Sequence, residues 1–215
     1  MVAAAALDHL VVAAATLEQG EDYLEKRLGV RPRRGGKHVA MGTHNSLLKL
    51  GGKTFLEVIA IDPDAVAPPR PRWFALDTSA LQSALQEAPR LIHWVVRTDD
   101  IDAARRACPV DPGEVHAMTR GAFAWRITIP ADGHLPAGGV LPTLIQWTDA
   151  HHPADTLPDA GVRLLALAGA HPEPGAMHSA LAALSLSDTI KVTFAATPRL
   201  ATMLQTTRGP VTLAS

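Results

Sequence analysis

One six-residue pattern occurs twice: Leu7-Asp-His9-Leu-Val-Val12 and Leu91-Ile-His93-Trp-Val-Val96 both read L-x-H-[LW]-V-V, with His9 and His93 84 positions apart. Self-similarity of this kind means two copies of one supersecondary unit, because such a unit cannot bury its apolar face alone. Each copy is short and rich in β-branched residues, which predicts a strand. A helical pattern follows each strand. Thr16 caps the first helix, Leu17, Tyr23, Leu24 and Leu28 supply its apolar face, and Gly29 stops it. In the second copy Thr98, Asp99 or Asp100 is the cap, Ile101, Ala104 and Cys108 form the face, and Pro109 ends the helix.

Three further strands are expected after each helix: 37–41, 45–50 and 54–61 in the first copy, 113–119, 122–129 and 140–147 in the second. Gly51-Gly52 supplies a hairpin turn. The order β-α-β-β-β therefore appears twice, as a first module over 1–62 and a second over 91–150. Between them lies a proline-rich insert, 63–90, with a short helix near Ser79–Gln86. Residues 162–215 give strand, helix and strands again without the histidine, a partial third module whose apolar positions alternate with period two. The expected class is α+β.

Composition removes several classes of function. Lys and Arg number 20 against 21 Asp and Glu, which gives no electrostatic reason for nucleic acid or an anionic membrane as partner. The single cysteine, Cys108, excludes an intramolecular disulfide and any zinc site built on several thiolates. The N-terminal apolar run lacks a basic flank and is interrupted at Asp8-His9, and no stretch reaches the ~20 apolar residues of a membrane helix. The expected location is cytoplasmic. Both modules sit in one chain, so a cup needs no dimer, although a homodimer is compatible.

Polar residues in apolar strands mark the candidate site. His9 and His93 share one register. Glu57 lies inside Phe55-Leu-Glu-Val-Ile59, and Gln146 inside Leu144-Ile-Gln-Trp147. A carboxylate in an apolar strand costs several kcal/mol unless it is paired, protonated or coordinated. Two imidazoles, one carboxylate and one amide oxygen suit a single divalent ion with positions left open for a ligand.

With these residues in view, the chain resembles the vicinal oxygen chelate superfamily. Within it, His38-Val-Ala-Met41-Gly-Thr-His44-Asn-Ser-Leu-Leu48, Thr54-Phe-Leu-Glu57-Val-Ile-Ala60, Pro71-Arg-Trp-Phe74 and Leu141-Pro-Thr-Leu-Ile-Gln146-Trp147 resemble a glyoxalase-like subfamily. The resemblance implies paired modules curling eight strands into an open cup. It implies a divalent metal (Zn, Ni, Mn or Fe) on the cup floor, held by His9, Glu57, His93 and Gln146. It implies an isomerase or lyase acting on a small oxygenated substrate. Glutamine at the position where glyoxalase I proteins carry a glutamate base leaves Glu57 as the base. The set His9, His93 and Glu57 equally suits a non-haem Fe(II) extradiol-type dioxygenase. Relatives that sequester antibiotics in the same cup without metal imply a third reading, a non-catalytic small-molecule binder.

Against each functional reading stands a simpler one. His9 and His93 are core histidines on that view, Glu57 the partner of a buried arginine, and Gln146 a backbone-bonded amide. His44 and Asn45 are either a strand-start turn or substrate contacts. Arg126 either holds a substrate carboxylate or faces outward. Trp73-Phe74 either lids the cup or anchors the insert. His38, His116 and His178 are expected to be structural or exposed, and His151-His152 an adventitious surface pair.

Overall fold

The computed structural model describes residues 5–148 and 151–215. The first module runs β1 (Ala6–Ala13), α1 (Leu17–Leu28), β2 (Arg33–His38), β3 (Thr43–Gly51) and β4 (Thr54–Ile61). The insert contributes α2 (Ser79–Glu87), and the second module runs β5 (Arg90–Arg97), α3 (Ile101–Ala107), β6 (Glu114–Arg120), β7 (Phe123–Ile129) and β8 (Thr143–Trp147). These strands make one curled eight-stranded sheet in the order β2-β3-β4-β1-β5-β8-β7-β6. The modules meet at its centre, where β1 and β5 pair antiparallel. Within each module the first and last strands pair parallel, β1 with β4 and β5 with β8.

Both faces of the central strands are covered, which is why β1 and β5 read as almost unbroken apolar runs. Leu10, Val12, Leu56, Val58, Trp94 and Val96 pack on the convex face. Val11, Ile59, Ile92, Val95 and Ile145 pack on the concave face. On the convex side α1 begins where the Thr16 side chain accepts from the Gln19 N–H, and it ends at Gly29 in the left-handed conformation (φ 78°). Gly20 lets α1 sit hard on the sheet, since a Cβ there would lie 2.3 Å from Val58 Cγ1. In α3 the N-cap is Asp100, which accepts from the Ala103 N–H at 2.9 Å.

Two strand boundaries differ from expectation. The strand expected at 37–41 lies at Arg33–His38, and Val39–Met41 form a 3-10 turn closed by left-handed Gly42. β2 is an edge strand of mostly exposed residues, so no apolar alternation marked it. The strand expected over 140–147 begins only at Thr143, after a 3-10 turn over Pro136–Gly139.

The insert crosses the concave face. Phe74 and Ala75 both take left-handed backbone (φ 59° and 58°), held by an Ala75 N–H to Gly133 carbonyl bond of 2.7 Å. This turn presses the stacked Trp73–Phe74 pair, with Leu76 and Leu85, onto the sheet. The pair is lid and anchor at once.

After a short helix α4 (Pro153–Thr156), the chain forms β9 (Arg163–His171), α5 (Pro174–Ala183), β10 (Lys191–Phe194), β11 (Arg199–Thr206) and β12 (Gly209–Ala214). They make a separate four-stranded sheet in the order β10-β9-β11-β12, a partial third module whose first strand lies inside the sheet. Leu167, Leu200, Leu204 and Leu213 face the convex side of the large sheet and share its core with Leu10 and Trp94. Deleting residues 162–215 is expected to cost more than about 5 kcal/mol, comparable with a domain's entire stability. Size-exclusion chromatography of the shortened chain should show aggregate rather than a folded monomer.

Candidate active site

A pocket of about 380 Å³, counting its mouth, opens on the concave face between the β1–β4 half and the β7–β8 half of the large sheet. Phe55, Trp73, Phe74, Trp125 and Trp147 wall it, and the polar groups reaching it are His9, His38, Asn45, Glu57 and Arg120.

His9 is fixed from behind. Its Nδ1 lies 2.6 Å from Asp8 Oδ1, and its ring stacks on Phe55 with centroids 4.6 Å apart. A register shift between Leu7 and His9 lets the neighbouring Asp8 and His9 side chains meet. Asp8 is fully buried, and its Oδ2 accepts from Trp147 Nε1–H and His152 Nε2–H, both at 2.9 Å. Burial opposes its charge, but the bonds from His152 and His9 win and hold the carboxyl well below the usual carboxylate range. An anionic Asp8 draws the His9 proton to Nδ1 and leaves Nε2 facing the pocket.

Beside His9, on the neighbouring strand β4, stands Glu57, its Oε2 3.7 Å from His9 Nε2. Asn45 Nδ2–H donates to Glu57 Oε1 at 2.5 Å, and Arg120 Nη1–H donates to Asn45 Oδ1 at 2.8 Å. His38 Nδ1 meets the Thr43 hydroxyl at 3.1 Å, and its Nε2 faces Asn45 Nδ2 at 3.4 Å. Burial, aided by the Arg120 charge, lowers the His38 pKa to about 3, so the ring is neutral.

The structure brings together His9, Glu57 and Asn45 and leaves the other expected site residues elsewhere. His93 lies behind Phe74, ring centroids 5.3 Å apart. Its Nε2 accepts the Thr143 N–H at 3.1 Å and meets the Thr143 hydroxyl at 2.9 Å, which commits that lone pair. The proton then sits on Nδ1, buried with no bond of good geometry among the described residues. Burial lowers the His93 pKa to about 3, partly offset by the Gly139 carbonyl.

Gln146 is on the opposite face of β8 from Ile145 and Trp147, which line the pocket. Its Oε1 accepts from the Ile101 N–H at 3.2 Å and its Nε2 donates to the Asp99 carbonyl at 2.7 Å, so it caps α3. Register explains the displacement. Val11 pairs with Glu57 and its repeat counterpart Val95 with Thr143, so the second module carries threonine where the first carries the carboxylate. The pair His93–Thr143 is a closed copy of His9–Glu57.

Arg126 also faces away from the pocket, its Nη2 forked onto Asp102 at 2.9 and 3.1 Å. His44 points to the other side of β3 from Asn45, half-buried, with Nε2 unbonded among the described residues. One histidine is corrected in the other direction: His152, expected at the surface, is buried against Asp8, while His38 is buried in the pocket wall.

The donor set expected for a divalent ion therefore does not fit. Among the described residues no group of three or more His, Cys, Asp or Glu side chains is placed to hold one. The dioxygenase triad needs the same His93 nitrogen and fails with it.

Asp8, Arg120 and His152 were missed. Asp8 carries the signal that exposed Glu57, a carboxylate in an apolar strand. Arg120 and His152 carry none, because only folding brings the hairpin end and the 151–161 connector to β1 and β3.

A family model described as glyoxalase-like domain matches residues 7–185. No curated protein matches the sequence. A hypothetical protein from Staphylococcus aureus shares the fold at TM-score 0.61 and 14% identity, over 90% of this chain and 87% of that one. Methylmalonyl-CoA epimerase from Mycobacterium tuberculosis aligns at TM-score 0.40 and 19% identity, over 66% and 85% of the two chains. A variant of 4-hydroxymandelate synthase from Streptomyces coelicolor aligns at TM-score 0.45 and 16% identity, over 99% of this chain and 63% of that one. No helix among the described residues is long and apolar enough to cross a membrane.

Proposed function

The chain belongs to the glyoxalase-like domain family of the vicinal oxygen chelate superfamily, and from that premise we propose that it is an isomerase- or lyase-type enzyme that moves a proton on a small oxygenated substrate. The observation that carries this reading is the facing pair His9 Nε2 and Glu57 Oε2, 3.7 Å apart in a pocket walled by aromatic side chains. An acid and a base side by side on one wall of a small cavity can reach the carbonyl oxygen and the neighbouring C–H of one bound substrate, as proton transfer next to a carbonyl requires.

The chemistry follows from the bonds each group already makes. Asn45 occupies Glu57 Oε1 and leaves Oε2 free to take a proton. As the substrate C–H bond breaks, its electron pair moves toward the carbonyl oxygen and the proton goes to Oε2. In its imidazolium form His9 holds one proton on Nδ1, bonded to Asp8, and a second on Nε2, and it gives the second to the oxygen where charge develops. Glu57 returns its proton to the same carbon while the oxygen proton goes back to His9, or to the adjacent carbon while the hydroxyl on the carbon first deprotonated gives its proton to His9, so the isomerisation closes without a co-reactant. The aromatic walls keep bulk water from the intermediate.

A panel of small 2-hydroxy and 2-oxo carbonyl compounds in deuterium oxide tests the reading. The protein should catalyse exchange of the hydrogen beside the carbonyl, followed by proton NMR. Glu57→Gln should slow that exchange at least about hundredfold with the fold intact. Absence of exchange across the panel would favour the non-catalytic binder instead.

A further inference from the structure

Arg120 ends β6 at the rim of the large sheet and reaches across the cup mouth to the opposite edge strand, β2. Gly36 on β2 leaves room for it, since a Cβ there would lie 3.1 Å from Arg120 Cδ. Nη1 is held by Asn45 Oδ1 at 2.8 Å, and the guanidinium carbon lies 5.7 Å from the Phe123 ring centroid. Its charge answers Glu57 only through space and through Asn45, whose amide bonds both. The neighbouring His38 is a neutral acceptor. A mostly buried guanidinium, fixed at one nitrogen and, among the described residues, without a carboxylate bonded to it, is a ready receptor for an anion. Phe55, Trp125 and Trp147 supply flat apolar walls to the same pocket.

We propose that this pocket takes a small monocarboxylate with a flat apolar body, its acid group forked onto Arg120 and its body between the aromatic walls. The proposal rests on the proton-transfer reading for what happens after binding, not for binding itself. With the acid group at Arg120, the bonded chain from Arg120 through Asn45 to Glu57 sets the span to the proton acceptor. The reacting carbon of the substrate then lies close to the carboxylate rather than at the far end of a long chain.

Tryptophan fluorescence supplies a readout independent of catalysis, because Trp73, Trp125 and Trp147 line the pocket. The full-length protein is titrated with benzoate and with benzamide, which has the same shape without the charge. Benzoate should bind saturably and benzamide at least about tenfold more weakly, the ratio a charge-assisted bond gives. Arg120→Gln should weaken benzoate by a similar factor and leave benzamide unchanged, while Arg163→Gln, far from the pocket, changes neither. Equal binding of the two probes, no saturable benzoate binding, or indifference to Arg120→Gln overturns the proposal. Should Arg120→Gln fail to fold, the wild-type ratio and the Arg120→Lys variant decide. Benzoate binding and proton exchange are read on the same wild-type protein, so a protein that binds benzoate but exchanges no proton defeats the catalytic reading alone.

Discussion

Replacing Asp8 by asparagine is expected to cost about 3 kcal/mol of stability and at least about a hundredfold in proton-exchange rate. Asp8 is fully buried and serves three donors, on His9, Trp147 and His152. An asparagine of the same shape supplies one oxygen where two are needed and turns an N–H toward a group that also carries one. A buried donor left facing another donor loses its bond and pays its desolvation as well. The rate should fall for a separate reason. Without the carboxylate, nothing holds the His9 proton on Nδ1, and Nε2 no longer presents the same state to Glu57. Urea unfolding measures the first effect and deuterium exchange the second. A variant as stable as the parent would show that the network around Asp8 is not what holds the connector onto β1.

Acid should weaken this fold well before its carboxylates protonate. His38 and His93 are buried and neutral, with pKa values near 3 against the ordinary 6.5. Burial is the main cause in both. Because the folded values lie below the unfolded ones, their contribution is fully present above pH 6.5. It is lost as pH falls from there toward 3, where the loss levels off because the folded state also takes up the protons. At about pH 5 each histidine should remove roughly 2 kcal/mol, close to 4 kcal/mol together. Asp8 acts in the same direction lower down, its depressed pKa giving stability that is present above the ordinary value of 3.8 and lost below it. Urea midpoints at pH 7 and pH 5 measure the drop, and His93→Gln should reduce the pH slope by about one proton. A midpoint that does not move between the two values would mean that these rings are solvated.

The repeat L-x-H-[LW]-V-V was legible because strands with this pattern fold in only a few ways. It placed β1 and β5 correctly, and it gave the module order on which the eight-stranded sheet is built. Local chemistry also determined the ends of α1, where Thr16 caps and Gly29 stops for reasons confined to one turn of chain, and narrowed the cap of α3 to three neighbours, of which Asp100 is the one. His9 and Glu57 could be found as polar residues among apolar ones, since buried charge is costly wherever the strand lies in the fold.

Register and distant contacts were decided only by the tertiary structure. Gln146 and Thr143 are three residues apart, and nothing local shows which stands opposite Val95. The parallel pairing of β5 with β8 selects Thr143, which closes the second half-site and turns Gln146 to the helix side. Arg126 fails by the period of two alone, because Trp125 and Ile127 take the pocket face. Arg120 and His152 join the site across 75 and 144 residues of chain, to Asn45 and Asp8. A residue's own strand or helix follows from interactions with near neighbours, which the sequence states directly. Which side chains meet in the cup depends on how the sheet curls and where the connector returns, and those are properties of the whole packed chain.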